Sequence, residues 1–311
     1  MIDYQSELLL LENDVLRIKV SPLVGASIYS FQYNLDGRFI DIMRPTPSEA
    51  VKNINPGAFS SFNMIPYSNR IEKGILLHGA QTYQLAINNP EGHAIHGEVR
   101  ERPWEVINHT KNSVELEFHS PDYQGISWPF WFSARIKFTI VENRLTIGII
   151  VQNLSDQEMP AGMGIHPYLV RYLTEEDDQV LLKIPVKGVY PGDTPIPTGC
   201  WQAPSEKLDF SVKKELTTEF IDKCYRVDSQ PVTVDWVKSR VRLTMTADPV
   251  FQHLVLYCPK DDQTCFAVEP VTNCNNGFNM ANQGIKDTGT VYLKSNQKLN
   301  GSITFTLDRI S

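Results

Sequence analysis

The chain has 311 residues, of which 41% are hydrophobic and 21% are charged. This composition excludes a disordered, collagen-like or coiled-coil protein, and the chain is long enough to bury a large core. The 29 basic and 36 acidic residues give a net charge of −7, so neither a nucleic acid nor an anionic membrane surface is the expected partner.

Segments for membrane insertion or export are not expected. The longest apolar run near the start, residues 8–11, is too short to span a bilayer and follows no basic region. The 5 cysteines are odd in number and lack short paired spacings, which favours reduced thiols. A cytoplasmic protein is therefore expected.

Alternation of apolar and polar residues with a period of two dominates the chain and predicts β-strands. A turn at Glu142-Asn143 separates two of these runs, and no segment keeps a helical period over three turns. The clearest runs are residues 15–20, 113–118, 134–140, 144–150, 232–236, 240–245, 253–257 and 302–307. An all-β protein of many antiparallel strands is predicted, as one large sandwich without a linker.

Two polar segments in the first third interrupt the alternation. Residues 63–71 bring Arg70 next to asparagine and tyrosine side chains in a predicted loop, where a guanidinium can bind hydroxyls or an anion. Residues 93–97 hold two histidines before a glycine, followed by Arg100 and Arg102. A solvated arginine and a structural histidine are the simpler interpretations of these segments.

Two further segments lie in the second half. Residues 162–168 surround His166 with two glycines and a proline, which is unusual for a plain central strand and indicates that a side chain is being positioned there; a bulge or the end of an edge strand is the simpler interpretation. Residues 265–272 form an apolar strand that we expect to end at Glu269, stopped by Pro270. Burial at such a position raises the pKa of a carboxyl group and suits a general base, although a solvated strand end is common.

Taken in order, on an all-β chain of this length, these segments resemble the aldose 1-epimerase (mutarotase) family. The resemblance covers nearly the whole chain and is carried by Asn69-Arg70-Ile71 with Gly74, His96-Gly97 with Trp104, His166-Pro167-Tyr168, Phe220-Ile221-Asp222-Lys223-Cys224-Tyr225, and Glu269-Pro270 with Phe278-Asn279. It implies a large antiparallel β-sandwich (a galactose mutarotase-like supersandwich) with an open carbohydrate cleft, as a single domain over residues 1–311.

The resemblance also implies an activity and roles for the matching residues. The family interconverts the α and β anomers of a free sugar without a metal or cofactor. Glu269 would take the proton from the C1 hydroxyl, His166 would protonate the ring oxygen, and His96 would orient the substrate. The residues expected to contact the sugar are Arg70, Asp222, Asn69, Tyr168 and Arg100. Trp131, Phe132 and Phe278 could cover its apolar face or belong to the core.

The identity of the sugar stays open. Some relatives act on hexose 6-phosphates or other anionic sugars, and Arg100 with Arg102 could bind such a group. Alternatively Glu98, Arg100 and Arg102 form one exposed face of a strand. A neutral hexose is the preferred substrate, with a monomer or homodimer as the expected assembly.

Three other functions compete with the epimerase. The first is a noncatalytic carbohydrate-binding protein on the same fold. The second is a glycosidase with Glu269 and Asp222 flanking the bond, although histidines are not the acids expected there. The third is a metal enzyme with His96, His166 and Glu269 as ligands.

Overall fold

The computed structural model describes residues 8–174 and 177–310. The strands in the first part are β1 (Leu9–Glu12), β2 (Leu16–Ser21), β3 (Ser27–Leu35), β4 (Arg38–Asp41), β5 (Ser61–Met64), β6 (Arg70–Ile71), β7 (Ile75–His78), β8 (Gln81–Gln84), β9 (Ala94–Ile95), β10 (Glu105–Thr110), β11 (Ser113–His119), β12 (Phe132–Val141) and β13 (Arg144–Asn153). The later strands are β14 (Met159–Ala161), β15 (Gly164–Val170), β16 (Val180–Lys183), β17 (Val186–Val189), β18 (Lys214–Glu215), β19 (Ile221–Val227), β20 (Val232–Trp236), β21 (Val241–Ala247), β22 (His253–Cys258), β23 (Cys265–Val271), β24 (Val291–Leu293) and β25 (Lys298–Arg309).

Helices are short throughout the described residues. The two α-helices are α1 (Glu49–Lys52) and α2 (Gly277–Asn282), and single 3₁₀ turns cover Pro56–Ala58, Glu72–Gly74, Ser120–Asp122 and Glu206–Leu208. No helix within the described ranges is long and apolar enough to cross a membrane.

Two large sheets form the sandwich. A ten-stranded sheet has the order β1-β2-β3-β5-β15-β23-β22-β19-β17, with β4 paired to β3, and a nine-stranded sheet has the order β10-β11-β12-β13-β25-β21-β20-β16-β18. The pairs within both sheets are antiparallel, including β15 with β23 and β13 with β25. The predicted all-β sandwich is therefore confirmed.

The predicted alternating runs are all strands. Most of them alternate between buried apolar and more exposed polar residues, and the buried residues of β13 include Leu145, Ile147 and Ile149. The run in β22 is an exception, because this strand is buried along most of its length. The predicted turn is a two-residue hairpin between Val141 and Arg144. A short antiparallel hairpin of this kind fixes the register of β12 against β13.

The main core lies between the two sheets. Ile165 and Phe266 reach it from the ten-stranded sheet, and Phe138 and Phe305 reach it from the nine-stranded sheet. The rings of Phe31 and Phe305 meet across the interface with centroids 6.2 Å apart. Because inward side chains alternate with outward ones, the other face of the ten-stranded sheet is free to carry polar chemistry.

Two predictions about central strands were wrong. Residues 164–170 form β15 in the middle of the ten-stranded sheet rather than a bulge or strand end. β23 does not stop at Pro270 but continues to Val271. The prolines are tolerated because Pro167 and Pro270 lie on the shared border of β15 and β23, where the two strands pair only at either end.

Candidate active site

The candidate site lies on the outer face of the ten-stranded sheet. Strand register places one row of side chains across five neighbouring strands: Phe62 (β5), His166 (β15), Glu269 (β23), Val255 (β22) and Cys224 (β19). β15 and β23 pair on both sides of this row, and their register sets His166 opposite Glu269. Two segments about a hundred residues apart thus supply one acid–base pair.

His166 and Glu269 contact each other directly. His166 Nε2 lies 3.1 Å from Glu269 Oε1, and their side chains are only 7% and 2% exposed. Burial raises the pKa of Glu269 well above its ordinary value, and Asp222 raises it further while Arg70 opposes the rise. Burial lowers the pKa of His166, and the charge of Arg44 lowers it further. Both groups are thereby biased toward their neutral forms.

Several buried polar atoms at this place lack a hydrogen-bond partner within the described residues. They include Glu269 Oε2, His166 Nδ1, His96 Nδ1, Asn69 Nδ2 and Arg100 Nε. An unpaired buried polar group is unfavourable by about 1–3 kcal/mol, so several together are unusual in a structural core. Their convergence is typical of a surface that binds a polar ligand.

His96 reaches the site from the loop after β9. Its backbone N–H donates to the Asn69 carbonyl at 3.0 Å, and both residues have left-handed φ angles, 63° and 55°. Its ring lies 5.5 Å from that of His166, centroid to centroid. Burial lowers the pKa of His96 well below its ordinary value, and the charge of Arg100 contributes.

The backbone conformation and the close surroundings of position 97 require a glycine after His96. Its φ is 74°, and a Cβ at this position would collide with the carbonyl group of Ile65. The N–H of Glu98 donates to that same carbonyl at 2.7 Å. The His96 loop is therefore anchored to the end of β5 by a close backbone approach that only glycine permits.

Arg70 lies between two carboxylates. Its Nη2 is 3.4 Å from Asp222 Oδ2, and its Nε is 2.6 Å from Glu91 Oε2. Burial raises the pKa of Asp222, whereas the charge of Arg70 lowers it. The sequence-predicted pair of Arg70 and Asp222 is thus brought together, and Glu91 joins it from the loop between β8 and β9.

Amide side chains around α2 hold the Arg70 segment in place. Asn275 Oδ1 accepts the backbone N–H of Arg70 at 3.1 Å, and the N–H of Asn276 donates to the Arg70 carbonyl at 2.7 Å. Asn279 Oδ1 accepts the N–H of Leu77 at 2.8 Å. The asparagine-rich segment that follows Glu269 therefore positions Arg70 above the sheet.

Tyr168 and Arg44 extend the row of rings. The Tyr168 ring stacks on His166 with centroids 4.5 Å apart, and the Arg44 guanidinium lies 3.8 Å from the Tyr168 centroid. On the other side, the Phe62 ring stacks on His166 at 4.6 Å. The His166 ring is therefore held between two aromatic rings, of which Tyr168 was predicted from the sequence as a sugar contact and Phe62 was not.

Arg100 and Arg102 differ in their surroundings. Arg100 lies with its guanidinium carbon 5.8 Å from the Phe62 centroid, next to the site. Arg102 instead donates to the carbonyls of Glu98, Gln124 and Gly125, so it is structural. The alternative of an exposed strand face through Glu98, Arg100 and Arg102 is wrong, because residues 98–102 form turns.

The three suggested aromatic covers lie elsewhere. Phe132 and Phe278 pack in the core, and Trp131 is half exposed at the start of β12 in the other sheet. The aromatic ring that lies next to Asp222 on the outer face of the ten-stranded sheet is that of Tyr257, which pairs with Asp222 in the register of β19 and β22. The sequence could have indicated Tyr257, because alternation in the run 253–257 places it on the same outward face as Val255. No sequence pattern indicated Glu91 or Arg44.

The residues do not form a metal centre. Within residues 8–174 and 177–310, no group of three or more His, Cys, Asp or Glu side chains is arranged to hold an ion. The set His96, His166 and Glu269 is therefore not a ligand set in this geometry. All five cysteines are free, as predicted.

Comparisons with known proteins agree with this architecture. The aldose 1-epimerase family profile matches residues 7–306. The uncharacterized protein YihR of Escherichia coli K12 is 29% identical over 221 residues, 70% of each chain. A galactose mutarotase-like protein from Clostridium acetobutylicum superimposes with a TM-score of 0.83 at 20% identity, covering 97% of this chain and 95% of that one. A GalM/aldose epimerase homologue from C. elegans gives 0.82 at 19% identity, covering 98% and 99%. The chain therefore belongs to the aldose 1-epimerase family.

Proposed function

We propose that the protein interconverts the α and β anomers of a free hexose by opening and reclosing the sugar ring. One observation carries the proposal: Glu269 and His166 are in contact, buried, and each retains a polar atom without a partner among the described residues. A base and an acid side by side are the minimum that this reaction needs.

The protons carried by Glu269 and His166 are sufficient for both ring opening and ring reclosure. Burial favours neutral Glu269 and neutral His166, with one proton between Oε1 and Nε2. Transfer of that proton to His166 creates a carboxylate and an imidazolium in one step. The carboxylate then takes the O1 proton, the imidazolium protonates the ring oxygen, and the bond from C1 to that oxygen breaks.

Reclosure reverses these transfers on the other face of the aldehyde. The neutral His166 takes the proton of the C5 hydroxyl, and Glu269 returns its proton to the carbonyl oxygen after rotation about the C1–C2 bond. The imidazolium then returns its proton to the carboxylate across their contact, so the pair regains its neutral starting state and no cofactor is consumed. Each positioned group of this kind contributes roughly 10²–10⁴-fold.

The surrounding side chains provide a grip for hydroxyl groups. Arg70 and Asp222 offer donors and an acceptor on one side. Asn69 and His96 each offer a nitrogen atom that has no hydrogen-bond partner among the residues that the structure describes. Tyr168 packs on His166 and fixes the orientation of its ring. These are the roles we assign to the residues that the sequence predicted.

The geometry favours an epimerase over a carboxylate-pair glycosidase. The residue in contact with Glu269 is a histidine. Asp222 is on β19, separated from β23 by β22, and it is ion-paired with Arg70. The group that Glu269 contacts is therefore an imidazole rather than a second carboxyl group.

Polarimetry tests the proposal. Freshly dissolved α-glucose and α-galactose are followed to equilibrium with wild type, with His166→Gln and with Glu115→Gln, a control on β11 of the other sheet. We expect acceleration by wild type and the control, and a loss of about 10²-fold or more in His166→Gln. Sugar binding without any acceleration would point to a carbohydrate-binding protein instead.

An anionic sugar is a second candidate substrate, favoured by the two arginines beside His166. Arg44 and Arg100 both lower the pKa of His166, and Arg100 Nε has no partner within the described residues. Glucose and glucose 6-phosphate are compared with wild type and Arg100→Gln. If Arg100 binds the anionic group, Arg100→Gln should lower kcat/KM for glucose 6-phosphate by about ten- to a hundredfold. This is the effect of losing one charged hydrogen bond.

A further inference from the structure

Arg44 forms the outermost layer of the ring stack around His166. Its guanidinium carbon lies 3.8 Å from the centroid of the Tyr168 ring, and that ring lies 4.5 Å from the ring of His166. Because the imidazole already covers one face of Tyr168, the guanidinium occupies the opposite face. The two distances together place a fixed positive charge within about 8 Å of the centre of the His166 ring.

Hydrogen bonds hold Arg44 in this position through both its backbone and its side chain. The Arg44 N–H donates to the Tyr168 carbonyl at 2.8 Å, and the Ser60 hydroxyl donates to the Arg44 carbonyl at 2.7 Å. Arg44 Nη2 donates to the carbonyls of Gly57 and Phe59, at 2.6 and 3.1 Å. The guanidinium is therefore engaged within the protein and supports the Tyr168 ring from behind.

Arg100, at the other end of the stack, has different surroundings. Its guanidinium carbon lies 5.8 Å from the Phe62 centroid, and its Nε has no hydrogen-bond partner among the described residues. A buried donor without a partner gains from binding a ligand, whereas a donor that already has acceptors does not. The two arginines beside His166 are thus suited to different roles.

Several other charged or titratable groups surround His166. They are Glu269, His96, Tyr168, Tyr257, Arg70 and Arg100. Burial is the largest cause that lowers the pKa of His166, and the charge of Arg44 comes next, ahead of the other two arginines. Of the charged side chains around His166, Arg44 therefore opposes the imidazolium most strongly.

Asp262 is a carboxylate close enough to Arg44 to respond to its charge. It accepts hydrogen bonds from the Thr264 N–H at 3.0 Å and from the Cys265 thiol at 3.3 Å. Burial raises the pKa of Asp262, but these hydrogen bonds lower it, and the charge of Arg44 adds a smaller decrease. Asp262 therefore offsets the charge of Arg44 only in part.

We propose that Arg44 is a positioning residue for the acid–base pair: through Tyr168 it fixes the His166 ring, and its charge keeps the proton of the pair on Glu269. The inference rests on the proposed function and deepens it. A nearby guanidinium repels the imidazolium that forms during ring opening and makes it a stronger acid toward the ring oxygen. Arg44 does not touch the sugar, so its removal should change the pH dependence of the reaction and leave the KM of glucose unchanged.

A kinetic arm tests this role. Anomer exchange of glucose is measured from about pH 4 to pH 9 in wild type, Arg44→Gln, Arg44→Lys and Arg135→Gln, which removes an equal charge from β12 of the nine-stranded sheet. Arg44→Met serves as a second neutral variant if glutamine unfolds the protein. The acidic limb of the profile should move to higher pH by about half to one unit in the neutral variants, the effect of one charge at this distance. Arg44→Lys and Arg135→Gln should keep the wild-type limb.

Two results of this arm would overturn the proposal. The first is an unmoved limb in the neutral variants; a raised KM beside it would make Arg44 a sugar contact instead. The second is an equal shift in Arg44→Lys or in Arg135→Gln, since the effect would then not come from a positive charge at this position. The rate at the plateau is not diagnostic, because a small change in the strength of an acid alters its rate only modestly.

A second arm does not depend on turnover. The isotope-labelled ring of His166, identified by its absence in His166→Gln, is titrated by NMR in Glu269→Gln and in Glu269→Gln combined with Arg44→Gln. We expect the pKa of His166 to be higher by about half to one unit in the double variant. If that shift is present while wild type accelerates no sugar, the role of Arg44 stands and the epimerase proposal fails. If the pKa does not move, the role of Arg44 is refuted whatever the activity.

Discussion

The variant Glu269→Gln separates chemistry from structure at the centre of the site. Glutamine has nearly the size of a protonated glutamic acid and can still donate to His166 Nε2, which lies 3.1 Å from Glu269 Oε1. It cannot accept the O1 proton. Removing a positioned base lowers the rate by about 10²–10⁴-fold, or roughly 3–5 kcal/mol of activation free energy.

The same variant carries a prediction about stability with a definite sign. Burial raises the folded-state pKa of Glu269 above its unfolded value, so its contribution to stability is present at low pH and is lost as the pH rises through the folded pKa. Glutamine has no charge to bury. The Tm of Glu269→Gln should therefore equal that of wild type at pH 4 and be equal or higher at pH 8.

Exchange kinetics and thermal unfolding, measured on the same preparations, check both parts. Glu115→Gln, on the opposite sheet, is the matched control and should keep the wild-type rate. Full activity in Glu269→Gln would refute the assignment of the base. A Tm several degrees lower at pH 8 would refute the argument that the buried carboxylate is unfavourable to the fold.

Three further predictions follow from the same contacts. Gly97→Ala should lower the free energy of unfolding by about 2 kcal/mol or more, because the added Cβ meets the Ile65 carbonyl. The control is Gly37→Ala, where φ is 86° but the surrounding space is open. In denaturant titrations this control should lose only about 1–2 kcal/mol. Burial lowers the pKa of His253 to about 4, so stability should fall by up to about 3 kcal/mol between pH 6.5 and 4; equal slopes in wild type and His253→Gln would contradict this. Dialysis against EDTA should leave the exchange rate unchanged, because the described residues hold no metal ligand set; loss restored by a divalent ion would contradict this.

The sequence was most informative where alternation is local. The eight predicted runs and the hairpin at Glu142-Asn143 depend on neighbouring residues, and all are present. β15 and β23 were misjudged because proline and glycine were weighed as strand breakers. Their tolerance depends on pairing between segments far apart in the chain, where Pro167 and Pro270 share one border.

At the candidate site, too, residues within local motifs could be predicted from the sequence, whereas residues brought in by long-range contacts could not. Motifs identified Glu269, His166, His96, Arg70 and Asp222, which the fold brings together. Phe62 enters the site because its strand pairs with β15, and Glu91 enters because a loop folds back onto Arg70. Neither long-range contact leaves a local pattern. The turn at residues 98–102 likewise separates Arg100 from Arg102, which alternation alone would have placed on one face.

The most direct test of the account is two-dimensional NMR exchange between the anomers of glucose and galactose at equilibrium. The method follows both directions at once and needs no coupled enzyme. The account predicts that wild type accelerates α-to-β and β-to-α exchange and that Glu269→Gln does not. Saturation-transfer signals that show a bound sugar, with exchange no faster than in buffer, would contradict it.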